Sequence, residues 1–124
     1  LPIYFISVED VVRVNLHFFE NHTQSPDEIS GIFNCGTGKA RSFNDLALAT
    51  INACRKVEGE NTISLQTAVT QGIIEYIPFP RDLAGKYQCF TQANSTRLVK
   101  DGNYKTPFLT LEQGVENYVS LLLS

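Results

Sequence analysis

An α/β fold, with short strands alternating with helices, is predicted by three observations in this chain of 124 residues. Ile32, Phe33 and Asn34 form a short apolar run ending in Gly36-Thr37-Gly38-Lys39, and a helical pattern opened by Ser42 and Asp45 follows at once. That is the order strand, glycine turn, helix. Ile73 to Ile77 is a second run rich in strand-forming residues, and residues 88 to 93 offer a further strand. Helical periodicities occupy both ends of the chain.

Taken in order, Val8, Val11, Val12, Leu16 and Phe19 recur at helical spacing, which predicts a helix over residues 8 to 20 with one apolar face. Ser7 with Asp10 has the form of a capping box in which Asp replaces Glu. Glu9 and Asp10 lie in a first helical turn, where carboxylates suit the macrodipole, and are read as caps rather than as an acid/base pair. Val14 and Phe18 widen the apolar stripe beyond what a small domain needs, which points to a missing partner surface. Residues 21 to 30 read as a polar loop. The second helix carries Phe43, Leu46, Ala47, Ile51 and Cys54. Residues 57 to 63 form a polar connector, Ser64 to Gln71 a short helix stopped by Gly72, and Ser95 to Lys100 another with Gly102 as its stop. Thr110 with Gln113 caps a last helix whose Leu111, Val115, Tyr118, Val119 and Leu122 share one face. There are no internal repeats or low-complexity tracts.

The length suits one domain, which buries about two-thirds of its unfolded surface. A composition of 43% hydrophobic and 19% charged residues is that of a soluble chain, and a net charge of −3 provides no basic footprint for nucleic acid or an anionic membrane. No run approaches a membrane-spanning length, and no leader pattern opens the chain. Cys35, Cys54 and Cys89 are odd in number and lack Cys-x-x-Cys spacing, so they read as packing residues in a reducing, cytoplasmic setting. His17 and His22 stand apart from any ligand cluster, and no metal is expected. The absence of Met beside an initial Leu1 marks the chain as an expected internal piece of a longer protein.

Function concentrates in the stretch Ile77-Pro78-Phe79-Pro80-Arg81-Asp82-Leu83-Ala84-Gly85-Lys86-Tyr87-Gln88-Cys89-Phe90-Thr91-Gln92-Ala93. Two prolines hold Phe79 in an extended, poorly paired segment. Gly85 then delivers a Lys-Tyr-Gln triplet. Tyr87 can offer both a ring face and a hydroxyl to a ligand, whereas Lys86 and Gln88 read as solvated or sheet-edge residues. As a plain connection, the same stretch would place Phe79 and Tyr87 in the core. Gly36-Thr37-Gly38-Lys39 fails both the P-loop spacing and the dinucleotide fingerprint, so it reads as a structural turn. The triplets Asn21-His22-Thr23 and Asn94-Ser95-Thr96 match the glycosylation pattern by chance.

The phrases Phe5-Ile6-Ser7-Val8-Glu9-Asp10-Val11-Val12, Gly31-Ile32-Phe33-Asn34-Cys35-Gly36-Thr37-Gly38, Tyr76-Ile77-Pro78-Phe79-Pro80, Gly85 through Ala93 and Gly102-Asn103-Tyr104-Lys105-Thr106-Pro107-Phe108 follow in one order. In that order the chain resembles the C-terminal part of extended short-chain dehydrogenase/reductase enzymes acting on nucleotide sugars, and most closely the ADP-glycero-manno-heptose 6-epimerases. The resemblance implies the substrate-side portion of a Rossmann-type enzyme, with the N-terminal nucleotide-binding domain absent from residues 1–124. It implies Tyr87 as a substrate-binding residue, an ADP-heptose substrate, NADP as cofactor of the whole enzyme, and a homo-oligomer when full length. The family's Tyr-x-x-x-Lys acid/base pair and cofactor fingerprint lie upstream, so this chain alone is expected to bind no NADP and to hold no catalytic residue. One departure stands out: where the family carries an Arg-Asp pair with a substrate-contacting arginine, this chain has Ile3 and Tyr4, and that contact is not carried over. Another nucleotide-sugar epimerase or dehydratase of the superfamily, and a non-catalytic binding or assembly module, are the competing readings.

Overall fold

The computed structural model describes residues 2–24, 30–87, 90 and 93–124. The described residues form five helices, α1 (Val8–Gln24), α2 (Phe43–Val57), α3 (Leu65–Thr70), α4 (Thr96–Lys100) and α5 (Leu111–Leu122), and a 3-10 turn at Arg81–Leu83. None of them, among the described residues, is long and apolar enough to cross a membrane.

The α/β expectation is corrected here, because the described residues contain no strand beyond one antiparallel bridge between Ile3 and Arg41. A strand needs a neighbour's backbone, and two of the expected strands find other partners. Ile32 is 87% exposed, and its carbonyl accepts from the Arg97 guanidinium at 2.8 Å. The amides of Ile73 and Ile74 both turn back onto the Ala68 carbonyl, at 2.9 and 3.1 Å, so that run begins as the exit of α3. The strand expected over residues 88 to 93 falls largely outside the described residues.

The helix ends follow local chemistry. Ser42 Oγ accepts from the Asp45 amide at 3.1 Å while Asp45 Oδ2 accepts from the Ser42 amide at 3.0 Å, a complete capping box on α2. Thr110 and Gln113 make the same reciprocal pair on α5. Ser64 caps α3, and Gly72 leaves it at φ +73°, a conformation that costs glycine nothing. Gly102 is required for a different reason than stopping α4. The left-handed turn falls on Asn103 (φ 54°), and Gly102 is buried where an added Cβ would lie 2.7 Å from the Leu98 carbonyl oxygen.

α1 turns only one of its apolar sides inward. Its buried side is Asp10 and Val14, with His17 and Phe18 partly covered, whereas Val8, Val12, Leu16 and Phe19 face outward. Apolar residues occupy both stripes of this helix, and the one that packs is the one meeting Leu98, Tyr104, Phe33 and Phe108, which with Val14 and Phe18 form the core. Complete burial of Leu98 contributes roughly 1.5–3 kcal/mol. Asp10 is no cap: it is fully buried, and its Oδ2 accepts from the Leu109 amide at 2.9 Å, tying α1 to the approach of α5. Ser7 Oγ accepts instead from the Glu9 amide. α2 and α5 pack together, with Ala53 and Val119 buried and ion pairs Arg41–Glu112 and Lys56–Glu116 (3.1 Å) across them.

Candidate functional site

Tyr87 sits on a short loop built in steps from the chain before it. Pro80 opens the 3-10 turn, the Ala84 amide donates to the Arg81 carbonyl at 3.2 Å, and Gly85 at φ +75° reverses the chain as the Lys86 amide donates to the Leu83 carbonyl at 3.1 Å. A side chain at Gly85 would strain that reversal.

The loop is held against the start of α2 by aromatic contacts. Tyr87 packs edge-on to Phe79 with centroids 5.7 Å apart and tilted against Phe43 at 6.3 Å, and Phe43 in turn packs edge-on to Phe5 at 5.8 Å. Tyr76 donates its hydroxyl hydrogen to Asn44 Oδ1 at 3.2 Å, anchoring the entry to the Pro-Phe-Pro segment on the same helix turn. Tyr87 remains 39% exposed, Phe43 41% and Phe79 49%. The structure therefore brings the sequence-singled Phe79 and Tyr87 together at the surface, not in the core. Gln88, Cys89, Thr91 and Gln92 lie outside the described residues.

Phe43 is the member that sequence reasoning missed, having been assigned to the apolar face of the second helix. Its place directly after the cap residue marks the start of a helix, but nothing local gives its contact with Tyr87. Tyr87 lines neither of two open clefts of about 800 Å³. One runs along Gly38, Phe90 and the start of α4. The other is an apolar groove between residues 4–8, α2 and α5.

The first glycine of the turn, Gly36, is packed by protein, whereas Gly38 faces open space. Gly36 is buried, an added Cβ would meet the Ala93 Cβ at 3.0 Å, and its carbonyl accepts from Ser95 Oγ at 2.7 Å. No open cradle for a pyrophosphate is left at that glycine. Tyr4, standing at a departure from the resembled pattern, donates to the Ala93 carbonyl at 2.7 Å, while Ile3 exchanges 2.8 Å backbone bonds with Arg41. Residues 3 and 4 are thus integral to the packing.

Among the described residues no three His, Cys, Asp or Glu side chains cluster as metal ligands. His17 bonds the Gly102 carbonyl through Nε2 at 2.7 Å and packs its ring against Phe18 and Tyr104. Cys35 is exposed rather than a core residue, which corrects the packing expectation for it, and Cys54 is partly buried. Partial burial of the Cys35 thiol, and after it the Asp10 charge, raises its pKa above the ordinary thiol value, the opposite of an activated nucleophile. Cys89 lies outside the described residues. No family model matches the chain.

Proposed function

We propose that this chain is the substrate-side portion of a nucleotide-sugar epimerase of the ADP-glycero-manno-heptose 6-epimerase type, with Tyr87 contacting the sugar nucleotide. The observation that carries the reading is the braced exposure of Tyr87, which is held between two rings with more than a third of its surface in solvent. The order of phrases from Phe5 to Phe108 supports the same family. In that family NADP removes and returns hydride at the sugar's C6, and the protein positions both partners. At the glycine turn of this chain Gly36 is packed against Ala93, and the resemblance places the cofactor's glycine fingerprint upstream. The part assigned to this chain is to bind and orient the substrate, in the cytoplasm and within a homo-oligomer.

The outward apolar stripe of Val8, Val12, Leu16 and Phe19 supports the reading from another side, as surface for the nucleotide-binding domain to cover. The same stripe favours the second reading, a non-catalytic assembly module. Steady-state kinetics and thermal melts of Tyr87→Phe and Tyr87→Ala in the enzyme carrying this segment separate the two. Loss of one neutral hydroxyl bond costs about 0.5–1.5 kcal/mol of transition-state binding, and loss of the ring costs more. An unchanged kcat/KM with a lowered melting temperature would remove Tyr87 from the site.

A further inference from the structure

The elements that brace Tyr87 leave more aromatic surface in solvent than bracing requires. Phe79 and Phe43 each meet Tyr87 edge-on or tilted, with no pair laid flat face to face, so ring faces stay open to a planar ligand. The backbone behind them is stiff. Phe79 lies between two prolines, Phe43 begins α2 inside its Ser42–Asp45 capping box, and Gly85 sets the turn before Tyr87. A surface ordered in advance loses less entropy on binding. Arg81 and Lys86, on the same loop, are exposed and make no ion pair among the described residues; Asp82 is the one carboxylate between them. Rings beside uncommitted cations suit a planar base carrying phosphate, because stacking and phosphate charge are then met at one place.

We propose that Phe79 and Phe43, with Tyr87 touching both, form a stacking surface for the nucleobase of a nucleotide, with Arg81 and Lys86 supplying positive charge for its phosphates. This rests on the nucleotide-sugar reading and adds a base subsite to it. Lys86, read from sequence as solvated, gains a role through its neighbours.

The test is titration of the 124-residue chain with ADP and, as a base-free probe, inorganic pyrophosphate, followed by the ring NMR signals of Phe43, Phe79 and Tyr87. ADP should move those signals saturably and pyrophosphate should leave them in place. Phe79→Leu should weaken ADP at least about fivefold, the effect of losing one stacked ring, while Phe79→Tyr retains binding and both variants keep wild-type helicity by circular dichroism. ADP binding with unmoved rings, or equally tight binding by Phe79→Leu, overturns the stacking surface and leaves the nucleotide-sugar reading standing. A folded chain that binds no ADP at millimolar concentration overturns both.

Discussion

Replacing Asp10 with alanine should destabilise this protein more than its place in a first helical turn suggests. The carboxylate is fully buried, and its Oδ2 is the acceptor for the Leu109 amide at 2.9 Å, a contact 99 residues apart in sequence. Its Oδ1 has no hydrogen-bond partner, and the nearest cation, Arg13 Nη1, lies 3.8 Å away, too far for a hydrogen bond. Alanine orphans the Leu109 amide, at a cost of about 1–3 kcal/mol, and relief of the unpartnered Oδ1 offsets part of that. A net loss of about 1–2 kcal/mol lowers the melting temperature by roughly 3–12 °C in a chain of this size. Asp10→Asn keeps an acceptor oxygen and should lose less. Calorimetric or circular-dichroism melts of both variants decide it. A wild-type melting temperature in Asp10→Ala, or equal losses in the two variants, would refute the clamp between α1 and the approach to α5.

Gly102→Ala should cost about 1–3 kcal/mol by overpacking, since its Cβ would fall 2.7 Å from the Leu98 carbonyl oxygen and 2.9 Å from Phe18 Cζ; an unfolding curve matching wild type would contradict this. The outward stripe of α1 should make the 124-residue chain self-associate in sedimentation, and Val12→Lys with Leu16→Glu should abolish that association while leaving the melt unchanged; a monomeric wild-type chain, or association that persists in the variant, would contradict this. The Arg41 hydrogen bond lowers the Glu112 pKa, and the Ser42 amide, then the Ser42 hydroxyl and Arg41, lower that of Asp45. Both are depressed carboxylates, so their stabilisation is present above the ordinary carboxylate range and is lost as pH falls through the lowered values. Both are partly solvated, which keeps the effect small. The stability gap between wild type and Arg41→Gln should therefore narrow on acidification, and a gap that widens in acid would reverse the assignment.

What could be read from the sequence was what short stretches decide for themselves. Ser42 with Asp45, Thr110 with Gln113, and Ser64 before α3 mark helix starts because the capping partners lie three residues apart. Ser7 with Asp10 has the same spacing, yet there a distant amide, Leu109, competes for the carboxylate and wins. Strand expectations failed for the related reason that pairing is not local: Ile32 met the Arg97 side chain, and Ile73 the end of α3. The packed side of α1 was not legible because either apolar stripe satisfies the helical period, and only the positions of Leu98 and Tyr104 select between them. At the candidate site, Tyr87 and Phe79 could be singled out from the prolines and glycine around them. Phe43 could not, because its contact with Tyr87 spans 44 positions of chain.

The most direct measurement is product analysis after incubating the proposed full-length enzyme, carrying this segment, with NADP and ADP-D-glycero-D-manno-heptose, reading the configuration at C6 by NMR. The account predicts conversion to the L-glycero epimer, with conversion falling in Tyr87→Ala while that variant remains folded. No change at C6 from a folded, NADP-loaded enzyme, or turnover only of a different sugar nucleotide, would contradict it.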